Sequence, residues 1–336
     1  MEGITVLKRP RMKNPCLVVA WPGMGEVAYK AATYMVDQLK AEEFARILPE
    51  DFFYLTGSDI QEGVLTVPEL PKSSFYYWRN PQLRRSAGIP FSPKSDARDL
   101  IIFVSNAQPD LARADIYSKR ILQVAKMFGV DTVISFASMP QPIDHTQESG
   151  VWGASTSTEL NSTLRKFNFR ILNEGQISGM NGLFLGLAKK EGFKGFCLLG
   201  EIPLYTIQIE NPRAALAVLG AFSKVFNIRF DFSALVEQIH TMEGEINRML
   251  EYLKLGAQGH SGPIGEEEIE RIKKTLSQLT KLPHSVKDKI DKLFESTKVD
   301  ISKAHELKAE LDKWNVYKDY EDKFLDLFKR NKGKGN

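Results

Sequence analysis

Short apolar runs alternate with helix-period patterns through the first 230 residues of the chain. The runs at 16–21, 100–105, 132–136 and 196–199 are dense in Val, Ile, Leu and Phe and show no polar alternation. Strands covered on both faces read this way. Helix-period segments occupy 26–40, 112–128, 158–166, 181–191 and 213–226. That alternation predicts an α/β fold, with a mixed, mostly parallel sheet flanked by helices. Between Phe52 and Pro93 the pattern changes. Val64-Leu-Thr-Val67 and Ser74-Phe-Tyr-Tyr-Trp78 are β-prone and punctuated by five prolines, which predicts one or two antiparallel strands and long loops added to the main sheet.

From Ser233 the pattern is purely helical. Leu235, Ile239, Met242, Ile246, Met249 and Leu253 are spaced 4, 3, 4, 3, 4, an apolar seam fit for a partner helix or a second subunit. Ser233 is a candidate cap without a capping box, since Val236 stands three residues on. Gly256-Ala-Gln-Gly-His-Ser-Gly-Pro263 then reads as a linker. Behind it Ile269, Ile272, Leu276 and Leu279 repeat the seam, and short helices with Val286, Ile290, Leu293 and Phe294 follow. Charge marks the same boundary. Residues 1–261 carry 28 basic and 27 acidic side chains, whereas the last 75 carry 17 and 15, so the charged fraction doubles. The expected domains are an α/β domain with a closing helix at 1–255, a linker at 256–264, a charged helical appendage at 265–330 and a frayed tail at 331–336.

Composition narrows the class. A chain of 336 residues, 43% hydrophobic and 26% charged, can bury a large core and is neither disordered nor, with two cysteines, a disulfide scaffold. Its longest apolar stretch, 214–222, is far short of the ~20 residues that span a bilayer. Residues 1–13 are basic but lack the apolar region of a signal peptide. The formal net charge of +3 gives no electrostatic case for nucleic acid or a membrane surface. A cytoplasmic protein is expected.

In an open α/β sheet, ligands bind outside the carboxyl ends of the strands. The residues that follow each apolar run therefore form one candidate rim for a ligand or partner. It comprises Gly23, Gly25, Glu26, Asn106, Gln108, Ser138, Gln141 and Glu201, with Gly179 and Asn181 from a second Gly-rich turn. The competing reading is plain turn chemistry, which uses Gly, Pro, Asn and Ser for backbone reasons. Gly23-Met-Gly-Glu-Val-Ala28 formally matches G-x-G-x-x-A after a strand. Glu26 in its first turn competes with a phosphate for the helix N-terminus, and the acidic residue expected ~20 positions on is only Glu50 or Asp51. A tight turn is the favoured reading, and no cofactor is expected. His145, His240, His260, His284 and His305 are scattered, Asp144-His145 with Glu148 being the sole local group, so no metal site is expected. No nucleophile elbow occurs, Cys16 and Cys197 sit in apolar runs, and no catalytic residue is assigned.

The string Pro22-Gly-Met-Gly-Glu-Val-Ala28, leading to Tyr34-Met-Val-Asp-Gln-Leu39, resembles the opening of the proteasome assembly chaperone two family. Ile177-Ser-Gly-Met-Asn-Gly-Leu-Phe-Leu-Gly-Leu-Ala188 and Gly195-Phe-Cys-Leu-Leu-Gly-Glu201 resemble its second Gly-rich turn, helix and closing strand, with Phe75-Tyr-Tyr-Trp78 and Asp99-Leu-Ile-Ile-Phe103 between. The resemblance spans roughly residues 14–255. It implies a purine-nucleoside-phosphorylase-like core and relatives that assist proteasome assembly as oligomers or heterodimers; some prokaryotic members carry an ATP-grasp label. Chaperones that dock into proteasome pockets often end hydrophobic-Tyr-any, whereas this chain ends Lys334-Gly335-Asn336. The expected function is a non-enzymatic scaffold or assembly chaperone acting through protein–protein contacts. A homo-oligomer is expected, with a protein partner such as a proteasome-type subunit. The alternative is a ligase- or phosphorylase-like enzyme binding a nucleotide or nucleoside at the rim.

Overall fold

The computed structural model describes residues 3–83 (except 56 and 62), 97–256, 290, 293–298, 300–313 and 316–331. The four apolar runs form the parallel centre of a sheet: β2 (Cys16–Ala20), β7 (Leu100–Ser105), β8 (Thr132–Gln141) and β11 (Lys194–Pro203). The remaining strands are β1 (Ile4–Val6), β3 (Glu42–Ile47), β6 (Ser73–Trp78), β9 (Val151–Ser155) and β10 (Arg170–Ile171). The described sheet has nine strands in the order β1-β3-β6-β7-β2-β8-β11-β9-β10. The wings join antiparallel, β6 to β7 and β9 to β11. Strands β8 and β11 outrun the apolar cores that predicted them because they pair in parallel along ten residues.

Alternation along β2 feeds two cores. Leu17 and Val19 face the layer of α2 (Ala114–Met127) and α4 (Met180–Lys190), with Tyr117, Ile121, Met180 and Phe184. Cys16, Val18 and Ala20 face α1 (Val27–Gln38) and α5 (Pro212–Phe226), with Ala28, Ala31, Met35, Ala215 and Phe222. All five side chains of β2 are fully buried, which is why the run carries no polar position. Helix α3 (Thr158–Lys166) covers the β9 wing, its N-terminal amide of Leu160 capped by Ser157 Oγ.

The β-prone pair in the interlude divides. Ser73–Trp78 joins the main sheet, but β5 (Val64–Thr66) pairs only with β4 (Asp59–Gln61), forming a separate two-stranded ribbon. Of the one or two strands expected to extend the sheet here, β6 does so, while the ribbon, whose described side chains are exposed, stays apart.

Helix α6 (Ser233–Gly256) has the span its periodicity predicts. Its entry is held by Asp231, whose carboxylate accepts the Ser233 N–H at 2.9 Å and is thereby kept below the ordinary aspartate range. Of the seam, Leu235, Ile239 and Ile246 are buried, as is the flanking Leu250. Met242 is half-buried, Met249 is 41% exposed, and the side chain of Leu253 lies outside the described residues. An Arg213–Glu243 ion pair ties α6 to α5. The linker and the second seam at 269–279 also lie outside the described residues. Beyond them α7 (Ala304–Lys313) and α8 (Tyr317–Asn331) join Ile290 and Phe294 around a small core of Leu307, Leu311, Val316, Phe324 and Leu327. Leu204, just past β11, packs against both this cluster and the main core.

Candidate functional site

At the carboxyl end of β2 the chain must turn from a buried strand into α1 within six residues. Gly23 is extended, a 3-10 turn spans Met24–Glu26, and Gly25 takes φ +62°. That conformation favours glycine, and a Cβ there would sit 3.3 Å from both Asn211 Cβ and Ile202 Cδ1. The Gly25 N–H donates to Ile207 O, and Asn211 N–H donates back to Gly25 O, both at 2.8 Å. Glu26 N–H donates to Gly23 O at 2.9 Å. Two amides that would cradle a phosphate in a dinucleotide fingerprint are thus taken by the protein's own carbonyls.

Side chains from α4, from the loop after β7 and from β8 complete the turn. Asn181, the second residue of α4, accepts Trp21 N–H with Oδ1 at 3.0 Å and donates to Trp21 O with Nδ2 at 2.9 Å. Gln108 donates to Pro22 O at 2.5 Å and accepts Met180 N–H at 3.0 Å. Gly179, at φ +69°, lets the chain pass beside that amide, where a Cβ would lie 3.3 Å from Gln108 Nε2. Ser138 Oγ donates to Met24 O at 2.7 Å. Gly23, Gly25, Gln108, Ser138, Gly179 and Asn181 therefore converge on one turn.

The other rim residues lie to either side. Asn106 accepts Lys72 N–H at 2.8 Å, on the β6 flank. Gln141 is half-buried and pairs in register with Pro203. Glu201 is buried, its carboxylate accepting Trp152 Nε1–H at 2.7 Å and Gly150 N–H at 3.0 Å, with Arg170 Nη1 at 3.6 Å. Glu26 is half-buried, and its carboxyl is pushed up first by desolvation and then by Glu210, which pairs with Lys30.

Two polar groupings escaped the sequence. Antiparallel pairing sets Ser73 opposite Ser105, and their hydroxyls are 3.1 Å apart, with Tyr117 OH 2.6 Å from Ser73 Oγ. Burial raises the Tyr117 phenol, which is sealed in the core. His145 bridges Tyr205 OH through Nδ1 at 2.8 Å and Asn247 Oδ1 through Nε2 at 3.0 Å, with Asp144 Oδ1 3.2 Å from Nδ1. The sequence groups His145 with Asp144 but gives no sign of Asn247, 102 positions away on α6. Both cysteine thiols are fully buried, which pushes each up to about 12 and keeps it protonated at neutral pH. Among the described residues no group of three or more His, Cys, Asp and Glu side chains could hold a metal ion. Nor is any described helix long and apolar enough to cross a membrane.

The hydrogen bonds at the rim brace the ends of strands in an α/β scaffold. Comparison with known proteins gives that scaffold its relatives. Residues 17–250 match the PAC2 family model, and the chain belongs to the PAC2 family. PbaB of Pyrococcus furiosus, described as an archaeal proteasome activator, is 29% identical, with a TM-score of 0.59 over 74% of this chain and 98% of PbaB. PbaA of the same organism, described as an archaeal homolog of proteasome-assembly chaperone, shares the fold at 24% identity and a TM-score of 0.55, covering 77% of this chain and 96% of PbaA. An uncharacterized protein of Methanocaldococcus jannaschii is 27% identical over 267 residues, 78% of this chain and 93% of that protein. These matches support the assembly-chaperone family and lend nothing to an ATP-grasp label.

Proposed function

We propose that this protein is a proteasome-directed assembly or activation factor that works by protein–protein contact and not by chemistry. The observation that carries the reading is the similarity to PbaB, which runs through nearly the whole of that activator. The rim supports it. Asn181, Gln108, Ser138 and Glu201 bond to backbone or to Trp152, and the Gly25 amide bonds to Ile207 O. A polar group whose hydrogen-bonding capacity is already used within the fold gains little from a ligand.

The test is association of the full-length protein with proteasome core particles and with free α-type subunits of its own organism, read by native gel and by peptidase rate. A complex that forms and changes assembly or peptidase rate is the expected result. No complex with either form at micromolar concentration would overturn the reading. A parallel thermal-shift panel of ATP, NAD and purine nucleosides should leave the melt unchanged, whereas a ligand at ~100 times its Kd would add ~2.7 kcal/mol.

A further inference from the structure

The ribbon β4–β5 is the most exposed apolar element described. Ile60 and Leu65 face each other across its two strands, each 70% exposed, and Tyr54, Leu55, Val64 and Val67 extend the same exposed segment. A two-stranded ribbon is marginal alone in water and gains stability when another surface covers it. Among the described residues neither of its outer edges is paired.

Its charge is one-sided. Residues 50–69 contain Glu50, Asp51, Asp59, Glu62 and Glu69 and not one Lys, Arg or His. Asp51 is paired with Arg120 and Glu69 with Lys72, while Glu50 and Asp59 are exposed. The complementary surface lies in the same chain. Leu7-Lys-Arg-Pro-Arg-Met-Lys13 holds four basic residues and no acidic one, with Leu7, Arg9, Arg11 and Lys13 all exposed. Lys8 pairs with Glu42 at 2.8 Å.

The sheet keeps the two surfaces apart. The ribbon leaves and rejoins the fold at the carboxyl ends of the parallel strands, where Phe52 O accepts Asp110 N–H and Lys72 pairs with Asn106. The basic stretch runs past the opposite ends, where Lys8 reaches Glu42 beside Tyr77 and Lys13 meets Asp99 just before β7. Within one chain they cannot meet.

We propose that the acidic, apolar β4–β5 ribbon of one copy docks on the basic amino-terminal edge, residues 7–13, of a second copy. The contact is head-to-tail, so it builds closed rings or open filaments and not an isologous dimer. This inference goes beyond the proposed function and holds or fails independently of any proteasome partner.

The test uses the full-length chain and sedimentation velocity. The wild type should form an assembly that weakens as the screening length falls from ~30 Å at 0.01 M salt to ~3 Å at 1 M. Two variants, Ile60→Ser with Leu65→Ser on the ribbon and Arg9→Glu with Arg11→Glu on the edge, should each sediment as a monomer while circular dichroism shows an unchanged fold. Mixed one to one they should give a species of twice the monomer mass that grows no further, since each copy retains one intact surface. Should the ribbon variant not fold, Asp59→Lys replaces it and reads the same loss. A monomeric wild type would leave the ribbon to a different protein and overturn the proposal. So would an assembly that survives both variants, which would place the contact elsewhere, or a mixture that stays monomeric.

Discussion

Both ends of the Asn181 amide meet the backbone of one residue, Trp21, 160 positions earlier, and that clamp fixes where β2 stops. Replacing Asn181 with Ala would strand a buried N–H and a buried C=O, each worth ~1–3 kcal/mol. Thermal denaturation of Asn181→Ala should therefore fall by several degrees, at ~2–4 °C per kcal/mol for domains of this size. Gly25→Val should also lower the melt, because a β-branched residue at φ +62° is strained by ~1–3 kcal/mol and its Cβ meets Asn211 and Ile202. Glu26 titrates in the opposite sense to a paired carboxylate. Its folded-state carboxyl is raised by burial and by Glu210, so the folded state binds the proton more tightly than the unfolded one. Stability contributed by that proton is full below the ordinary glutamate value and is lost as pH rises from there through the raised one. Glu26→Gln should thus melt higher than wild type at pH 7, and the gap should close on acidification through the carboxylate range. An equal gap at both pH values would show that the carboxyl does not act through its charge.

Among the elements, those buried on both faces were the legible ones. β2 and β7 read directly as unbroken apolar runs because every side chain is covered. β3 begins Glu42-Glu43 and β9 holds Trp152-Gly153, so neither wing strand carries such a run, and each is recruited by pairing to a neighbour far along the chain. The rim was legible as a set, since strand ends name their own followers. Its working was not, because the partners of Gln108, Ser138 and Asn181 lie 72 to 160 positions away or on backbone atoms that no pattern marks. The α6 seam was legible as apolar spacing, but spacing does not say which positions the chain itself covers. Ile239→Ala should lower stability by ~2–5 kcal/mol, as for other large-to-small core changes. Met249→Ala, at an exposed position on the same helix, should stay within ~0.5 kcal/mol in the same urea titration.

For the whole molecule, the family match ends at residue 250, and 98% of PbaB is covered by 74% of this chain. We therefore expect a chain ending at Gly256 to keep a cooperative melt, with Leu204 newly exposed; a broad, non-cooperative transition would show that the carboxyl-terminal helices complete the core. The turn at Gly25 has a further consequence, in time instead of space. It is closed by Asn181 and by residues 207–211, so it cannot be finished when it is made. At ~5–20 residues per second, the interval between synthesis of residue 26 and residue 211 is on the order of 10–40 s. During that interval the nascent chain holds the end of its first buried strand open, Trp21 included, and the last-made third of the α/β domain acts as the latch.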